Sequence, residues 1–310
     1  YNDDFQLGDV EVIQEILKKK NFKYVELKKW YDTGSLSEIM GKIKNEYKSK
    51  YTVLRKLNES ICFFDNFIIK FFYDNETSLS RVKRGEHLYP LTPKILDYRN
   101  NFTKMELIEG ELMSNIYTYG EIKNLLEWAK KNLWTNNNAT NLKFPAVCKQ
   151  FYYNKTINRI NKTLKTTDDY IIINNIEVGP IQKIIDQIDF DNLYTTEHTN
   201  FHGDFILDNI IKTKTGYKLL DWRQNFGGDL YHGDKYYDLA KLRHNIIFNH
   251  DNVSNNLFDV KVKNNKVIIE LKCNYTLINQ IQDFDNFVLE HKMDLKRIKL
   301  WDVIFIHMQK

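Results

Sequence analysis

The stretch His202-Gly203-Asp204-Phe205-Ile206-Leu207-Asp208-Asn209, with Asp221 following in Leu219-Leu220-Asp221-Trp222, constrains this chain more than any other feature. Between Asn209 and Asp221 stand two short apolar runs, Ile210-Ile211-Lys212 and Tyr217-Lys218-Leu219-Leu220, around the Gly-containing turn Thr213-Lys214-Thr215-Gly216. That pattern predicts a β-hairpin. A hairpin returns the chain beside its start, so Asn209 and Asp221 face one point. Asp204 offers a carboxylate able to receive the proton of an attacking hydroxyl. Asn209 and Asp221 offer the hard oxygen donors that would hold Mg²⁺ against the phosphates of ATP. Together these residues read as a phosphoryl-transfer centre.

The Asp-x-x-x-x-Asn spacing is that of the kinase catalytic loop, His-Arg-Asp-x-x-x-x-Asn, with Gly203 where that loop has Arg. A third run follows, Gly233-Asp234-Lys235-Tyr236-Tyr237-Asp238-Leu239-Ala240-Lys241-Leu242. In this order the three pieces resemble the aminoglycoside phosphotransferase and choline kinase superfamily, small-molecule kinases on the protein-kinase fold. The resemblance implies an α+β, bilobal protein-kinase-like fold, with a small antiparallel β lobe that binds ATP and a larger, mostly helical lobe. It implies Asp204 as the catalytic carboxylate and Asn209 and Asp221 as Mg²⁺ ligands. His202 would buttress the loop by hydrogen bonds, and Asp238 would pin it, cap the helix that starts there, or both.

The same resemblance extends into the small lobe. Lys70, closing Phe67-Ile68-Ile69-Lys70, stands where the family carries the lysine that reaches the ATP phosphates, and Glu86 is its expected ion-pair partner. A lysine in so apolar a strand is costly to bury unless paired. Met105-Glu106-Leu107-Ile108-Glu109-Gly110 resembles the connector whose backbone binds adenine, making Met105, Glu106 and Ile108 ATP-binding candidates. The chain departs from the kinase pattern in having no Gly-rich loop; Leu57-Asn58-Glu59-Ser60 stands in its place.

At 310 residues and 42% hydrophobic content the chain exceeds the usual span of one domain. Residues 49–110 are strand-rich: Tyr51-Thr52-Val53-Leu54-Arg55, Ile61-Cys62-Phe63-Phe64, Phe67 to Phe72 and Phe102 to Ile108 are aromatic and β-branched, with turn residues between them. In residues 111–310 helices take over, as at Ile122, Leu125, Leu126, Ala129 and Leu133. Residues 1–48 fit neither lobe. There, Trp30-Tyr31-Asp32-Thr33-Gly34-Ser35-Leu36-Ser37-Glu38-Ile39 resembles the closing segment of sugar- and choline-nucleotidyltransferases, with Ser35 and Glu38 at capping-box spacing. The segment reads equally as a remnant of such a domain, with a fused or separate nucleotidyltransferase as partner, or as a strand-turn-helix decorating the kinase.

A net charge of +4, with lysines spread along the chain, does not suggest nucleic acid. Cys62, Cys148 and Cys273 are far apart and odd in number, which points to neither a disulfide framework nor a zinc site and fits a reducing cytoplasm. No apolar run approaches the roughly 20 residues of a membrane span, and Tyr1-Asn2-Asp3-Asp4 does not begin a signal peptide pattern. A cytoplasmic location is expected.

Trp222 and Arg223 directly follow the metal aspartate, where choline kinases usually carry an aromatic and then Glu. An Arg there disfavours a quaternary ammonium, whereas Trp222, Tyr231, Tyr236 and Tyr237 could cage one. A guanidinium suits anionic or polyhydroxylated partners and an indole suits a cation or a sugar ring; a sugar suits both. The expected acceptor is therefore the hydroxyl of a sugar or sugar-like alcohol, with Trp222, Arg223 and Tyr236 as its candidate contacts. The nucleotidyltransferase-like segment points to capsule or other cell-surface polysaccharide synthesis. Choline or ethanolamine is one alternative. An aminoglycoside is another, with Asp208, Asp229, Asp234 and Asp283-Phe284-Asp285 available to line its pocket. A catalytically silent binding module is the last, and the intact set Asp204, Asn209 and Asp221 counts against it.

Overall fold

The computed structural model describes residues 58–300 apart from 117, 119, 136–140, 164–171, 196, 249–255, 265 and 272–274, together with Lys18. The chain divides into two compact units, Tyr1–Val53 and Leu54–Lys310. The expectations for Trp30 to Ile39 and for a strand at Tyr51 to Arg55 lie outside the described residues.

In the second unit the aromatic runs form strands, as their composition favours. Strands β1 (Glu59–Phe63) and β2 (Phe67–Phe72) make an antiparallel hairpin. Helix α1 (Asn75–Leu88) starts where the Asp74 carboxylate accepts the amide of Thr77 at 2.9 Å, an N-cap that satisfies one of the open donors of the first turn. Strands β3 (Ile95–Arg99) and β4 (Phe102–Glu106) complete a sheet of order β1-β2-β4-β3 with antiparallel neighbours. Lys70 therefore sits on an inner strand, opposite Ile61 on one side and Thr103 on the other. Ser78, Val82, Arg84, Gly85 and Leu88 are the buried residues of α1, and their spacing marks its inner face.

After β4 the chain leaves the small sheet: β5 (Glu111–Leu112) pairs with a strand of the larger lobe. Helix α2 (Glu121–Asn132) buries Ile122, Leu125, Leu126 and Ala129, as their periodicity predicts, and Leu133 is buried just beyond it. Helix α3 (Phe144–Lys149) runs through a π-helical turn, Gln150–Asn154, into α4 (Lys155–Thr163). Strands β6 (Ile172–Ile173) and β7 (Ile176–Glu177), helix α5 (Ile181–Asp186) and β8 (Thr199–Asn200) lead to the stretch His202 to Asn209. The predicted hairpin follows as β9 (Ile210–Thr213) and β10 (Gly216–Leu219), with the Leu220 amide donating to the Asn209 carbonyl at 2.7 Å.

Strand β11 (His232–Gly233) pairs with β8 and precedes α6 (Lys235–Ile247). Beyond it β12 (Phe258–Lys263) and β13 (Lys266–Leu271) join β6 and β7 in a second four-stranded sheet, followed by α7 (Tyr275–Glu290). This second sheet departs from the run of helices expected after Gly110. Its signal is the period-two alternation of Phe258-Asp259-Val260-Lys261-Val262-Lys263. The layout is nonetheless α+β in class, a small antiparallel lobe followed by a larger, mostly helical one. Under the stretch His202 to Asn209 lies an aromatic core in which Phe144, Phe201 and Phe226 are fully buried and Phe151 stacks on Phe226 at 4.0 Å.

Candidate active site

Helix α6 holds the loop from His202 to Asn209, the candidate catalytic loop. Asp238, Lys241 and Asn245 recur at helical spacing, so one face of the helix carries all three. Asp238 is fully buried and accepts the amides of His202 at 2.7 Å and Gly203 at 2.6 Å and the indole N–H of Trp134 at 3.1 Å. Burial pushes its carboxyl up to about 6, against the pull of those donors and of Arg84. Asn245 accepts the amide of Leu207 at 2.9 Å. Lys241 reaches the loop's own carboxylate, its Nζ lying 2.9 Å from Asp204 Oδ1. The cap of α6 is Asp234, which accepts the Tyr236 amide at 3.0 Å, so the capping role considered for Asp238 belongs to its neighbour one turn earlier.

His202 is fully buried with both ring nitrogens engaged. Nε2 donates to the Leu220 carbonyl at 2.7 Å and Nδ1 accepts the Asp204 amide at 3.2 Å. These partners assign the neutral tautomer, and burial pushes its pKa down to about 4. The ring is thus a strut between the catalytic loop and the hairpin. Gly203 has φ +86°, and a Cβ there would stand 2.6 Å from the Cβ of Arg223. A side chain at 203 would be both strained and blocked.

Asp204 remains reachable, its side chain 30% exposed. Burial raises its pKa, but the charge and hydrogen bond of Lys241, together with the Arg223 charge, more than offset that effect and hold the carboxyl below its ordinary value. Asn209 Nδ2 donates to Asp204 Oδ2 at 3.1 Å and to the Asp204 carbonyl at 3.0 Å. That pairing orients the Asn209 amide and turns its oxygen away from Asp204. Asn209 and Asp221 stand at the same end of the hairpin, and their oxygens are the donors that Mg²⁺ prefers; the residues fit the ion.

On the small-lobe side Lys70 Nζ lies 2.5 Å from Asp221 Oδ1 and 3.4 Å from Glu59. Arg81 pairs with the same oxygen of Asp221, whose backbone is left-handed at φ +54°. Glu86 is not the partner of Lys70. It is exposed, because it falls outside the α1 stripe that carries Val82, Gly85 and Leu88. The charged groups that α1 presents toward the site are basic, Arg81 and Arg84. Arg84, fully buried, donates to the Arg223 carbonyl at 2.5 Å and to the Phe201 carbonyl, with its guanidinium 4.0 Å from the Phe201 ring. Burial pushes its pKa down to about 9. Arg81 and Arg84, with Lys241 and Asn245, are residues that the sequence reading did not single out; helical spacing is the signal that could have found them.

A pocket between the small sheet and α1 is lined by Lys70, Arg81, Met105, Asp221 and Trp222 among others. Glu106 is exposed, its carboxylate accepting the Lys94 amide at 3.3 Å, and Ile108 is buried where the connector begins.

The acceptor candidates separate. Trp222 is buried beneath α1, its indole donating to the Arg81 carbonyl at 2.8 Å, and its ring fills the space that a Cβ on Gly85 would enter, 2.4 Å away. It offers no open face to an acceptor, which corrects that expectation. Tyr236 is committed to packing: its hydroxyl accepts the Asp294 amide at 3.2 Å, and the Arg297 guanidinium lies 4.5 Å from its ring centre. Arg223 stays beside the catalytic loop, donating to the Gly203 carbonyl at 3.2 Å and to the Tyr237 hydroxyl at 3.4 Å.

No family model matches the chain, and no curated protein matches it. Solved structures that resemble it include a choline kinase from Cryptosporidium parvum, 10% identical over 87% of this chain and 87% of that one, with a TM-score of 0.42. An ethanolamine kinase from Plasmodium vivax is 14% identical over 98% of this chain and 95% of that one, with a TM-score of 0.42. The aminoglycoside phosphotransferase APH(2")-IIa, in its ternary complex with streptomycin and ATP, is 16% identical over 67% of this chain and 76% of that one, with a TM-score of 0.37. With TM-scores this low, the site's own residues carry the functional conclusion.

Proposed function

We propose that the chain transfers the γ-phosphoryl group of ATP to a hydroxyl of a small molecule, a sugar or sugar-like alcohol. The observation that carries this reading is the Asp204 carboxylate, reachable from solvent, ionised beside Lys241 and held in a loop that the buried Asp238 fixes. An ionised carboxylate fixed in this way can align an alcohol and take its proton as the O–P bond forms. His202 keeps the loop in register with the hairpin. Lys70 and Arg81, gathered at Asp221, are the cations available to a triphosphate. When bound, Mg²⁺ would be held by Asn209 and Asp221 and would neutralise charge on the β- and γ-phosphates.

Cationic acceptors fit less well. Of the carboxylates that would line an aminoglycoside pocket, Asp234 is taken by Tyr152 and Arg297, both within 2.6 Å, and Asp285 by Arg243 at 2.8 Å. A role in cell-surface polysaccharide synthesis, beside a fused or separate nucleotidyltransferase, rests on Trp30 to Ile39 alone. ADP release with a panel of sugars, choline, ethanolamine and kanamycin tests the reading. Alcohol-dependent ADP release that disappears in Asp204→Asn is the expected result, and alcohol-dependent release that persists in that variant overturns the role of Asp204.

A further inference from the structure

The acceptor side of Asp204 is crowded with positive charge that the proposed phosphotransfer does not itself require. Arg223 and Lys155 both lie against the ring of Phe151, the guanidinium 5.3 Å and the ammonium 4.1 Å from its centre. Phe151 is buried and belongs to the π-helical turn, and Lys155 is the first residue of α4 directly after it. A π-turn inside a helix rotates the residues beyond it, and such turns recur at functional sites. Here it brings Phe151 into the aromatic core and Lys155 into the neighbourhood of Arg223, Lys241 and Asp204.

Among these residues only Lys241 has the Asp204 carboxylate as its close partner, at 2.9 Å. Arg223 bonds to a carbonyl and a phenol, both neutral. Lys155 rests on the aromatic face of Phe151. Burial, followed by the charges of Arg223, Arg159 and Lys241, pushes the Lys155 pKa down to about 6. An amine held among like charges in a partly desolvated cleft gains most from an arriving anion, since low local dielectric strengthens that contact.

We propose, on the basis of the phosphotransferase reading above, that the acceptor carries an anionic group, a carboxylate or a phosphate, near the hydroxyl that Asp204 aligns, and that Lys155 and Arg223 hold that group. The arrangement selects against choline, ethanolamine and aminoglycosides, whose positive charge would meet the Arg223 and Lys241 cations around one carboxylate and would disfavour protonation of Lys155. It refines the sugar expectation to an acidic or phosphorylated sugar-like alcohol. Arg223, which the sequence reading placed at the acceptor, keeps that role, and Lys155 joins it.

The test uses the full chain with Mg²⁺ and ATP and five probes: D-glycerate and D-gluconate as carboxylates, fructose 6-phosphate as a phosphate, glucose as a neutral sugar and choline as a cation. Binding of each probe is measured by calorimetry alongside turnover. One anionic class should bind and turn over with kcat/KM at least about tenfold above glucose and choline, the advantage expected of a charge-assisted contact. Whichever class it is identifies the source of the anion. Lys155→Gln should raise the KM for that acceptor about tenfold or more while leaving the KM for ATP unchanged, and Lys155→Arg should restore most of the loss. Arg223→Gln, read in the same way, serves if Lys155→Gln does not fold. Preference for glucose or choline, absence of binding by every anionic probe, or an unchanged acceptor KM in these variants overturns the proposal. Failure of the wild type to bind ATP with Mg²⁺ overturns the phosphotransferase reading and this proposal with it, whereas intact nucleotide binding with the wrong acceptor preference overturns the acceptor class alone.

Discussion

The two sides of the site hold their charges by different means. On the large-lobe side Asp204 stands in a loop whose amides end on the buried Asp238 and Asn245 and whose imidazole is bonded at both nitrogens. On the small-lobe side Lys70, Arg81 and Asp221 are held by ion pairs. Buried hydrogen bonds to backbone amides are directional, and losing one strands a donor. Ion pairs at a cleft can exchange one partner for another, so a triphosphate can take over Lys70 and Arg81 without unfolding anything. The first side fixes geometry; the second is held by contacts that can be re-partnered.

The largest expected effect falls on the fixed side. Asp204→Asn should lower kcat by about 10²–10⁴-fold, the usual contribution of a positioned base, with ATP affinity by calorimetry nearly unchanged. A variant within tenfold of wild type would show that Asp204 does not touch the reacting hydroxyl.

Asp238→Ala should come next. It removes the acceptor of three buried N–H groups. Even after relief of the cost of burying the carboxylate, a loss of roughly 3 kcal/mol in denaturant unfolding is expected, with a fall in kcat as the loop loosens. If stability drops and kcat holds, the loop has a second anchor that suffices.

A pH series probes the same pin. The folded His202 stays neutral down to about 4 whereas its unfolded value is 6.5, so its stabilisation is complete above 6.5 and is lost as pH falls toward 4. That gap corresponds to about 3 kcal/mol at most. Asp238 acts in the opposite direction: its folded pKa of about 6 lies above the ordinary 3.8, so the cost of burying its charge fades as pH drops through 6. In urea unfolding between pH 7 and 4, His202→Asn should lose less stability on acidification than the wild type. An identical acid loss would mean that His202 is not the group being titrated.

The smallest effect belongs to the re-partnered side. Arg81→Ala should raise the KM for ATP about tenfold, as expected for one charge-assisted contact, with little change in thermal midpoint. A fall in that KM would instead identify Arg81 as a competitor that the nucleotide must displace from Asp221.

Local pattern decided much of this molecule. The hairpin between Asn209 and Asp221, the α2 stripe from Ile122 to Leu133 and the strands from Phe67 and Phe102 depend on neighbours in sequence, so period and turn chemistry suffice to read them. The spacing of Asp204, Asn209 and Asp221 also fixed which groups the hairpin brings together. Which side of a helix meets the site was not legible at the same level. Glu86 looked like the partner of Lys70 by resemblance to the Lys–Glu ion pair of kinases, yet the α1 stripe turns it outward and turns Arg81 and Arg84 in. Trp222 looked open because it follows Asp221, yet Gly85 makes room for its ring under α1. Lys155 gave no signal in the sequence, because the π-turn that redirects it leaves no mark in hydrophobic period. Such contacts are set by how faces pack across many residues of separation, and only the tertiary structure could decide them.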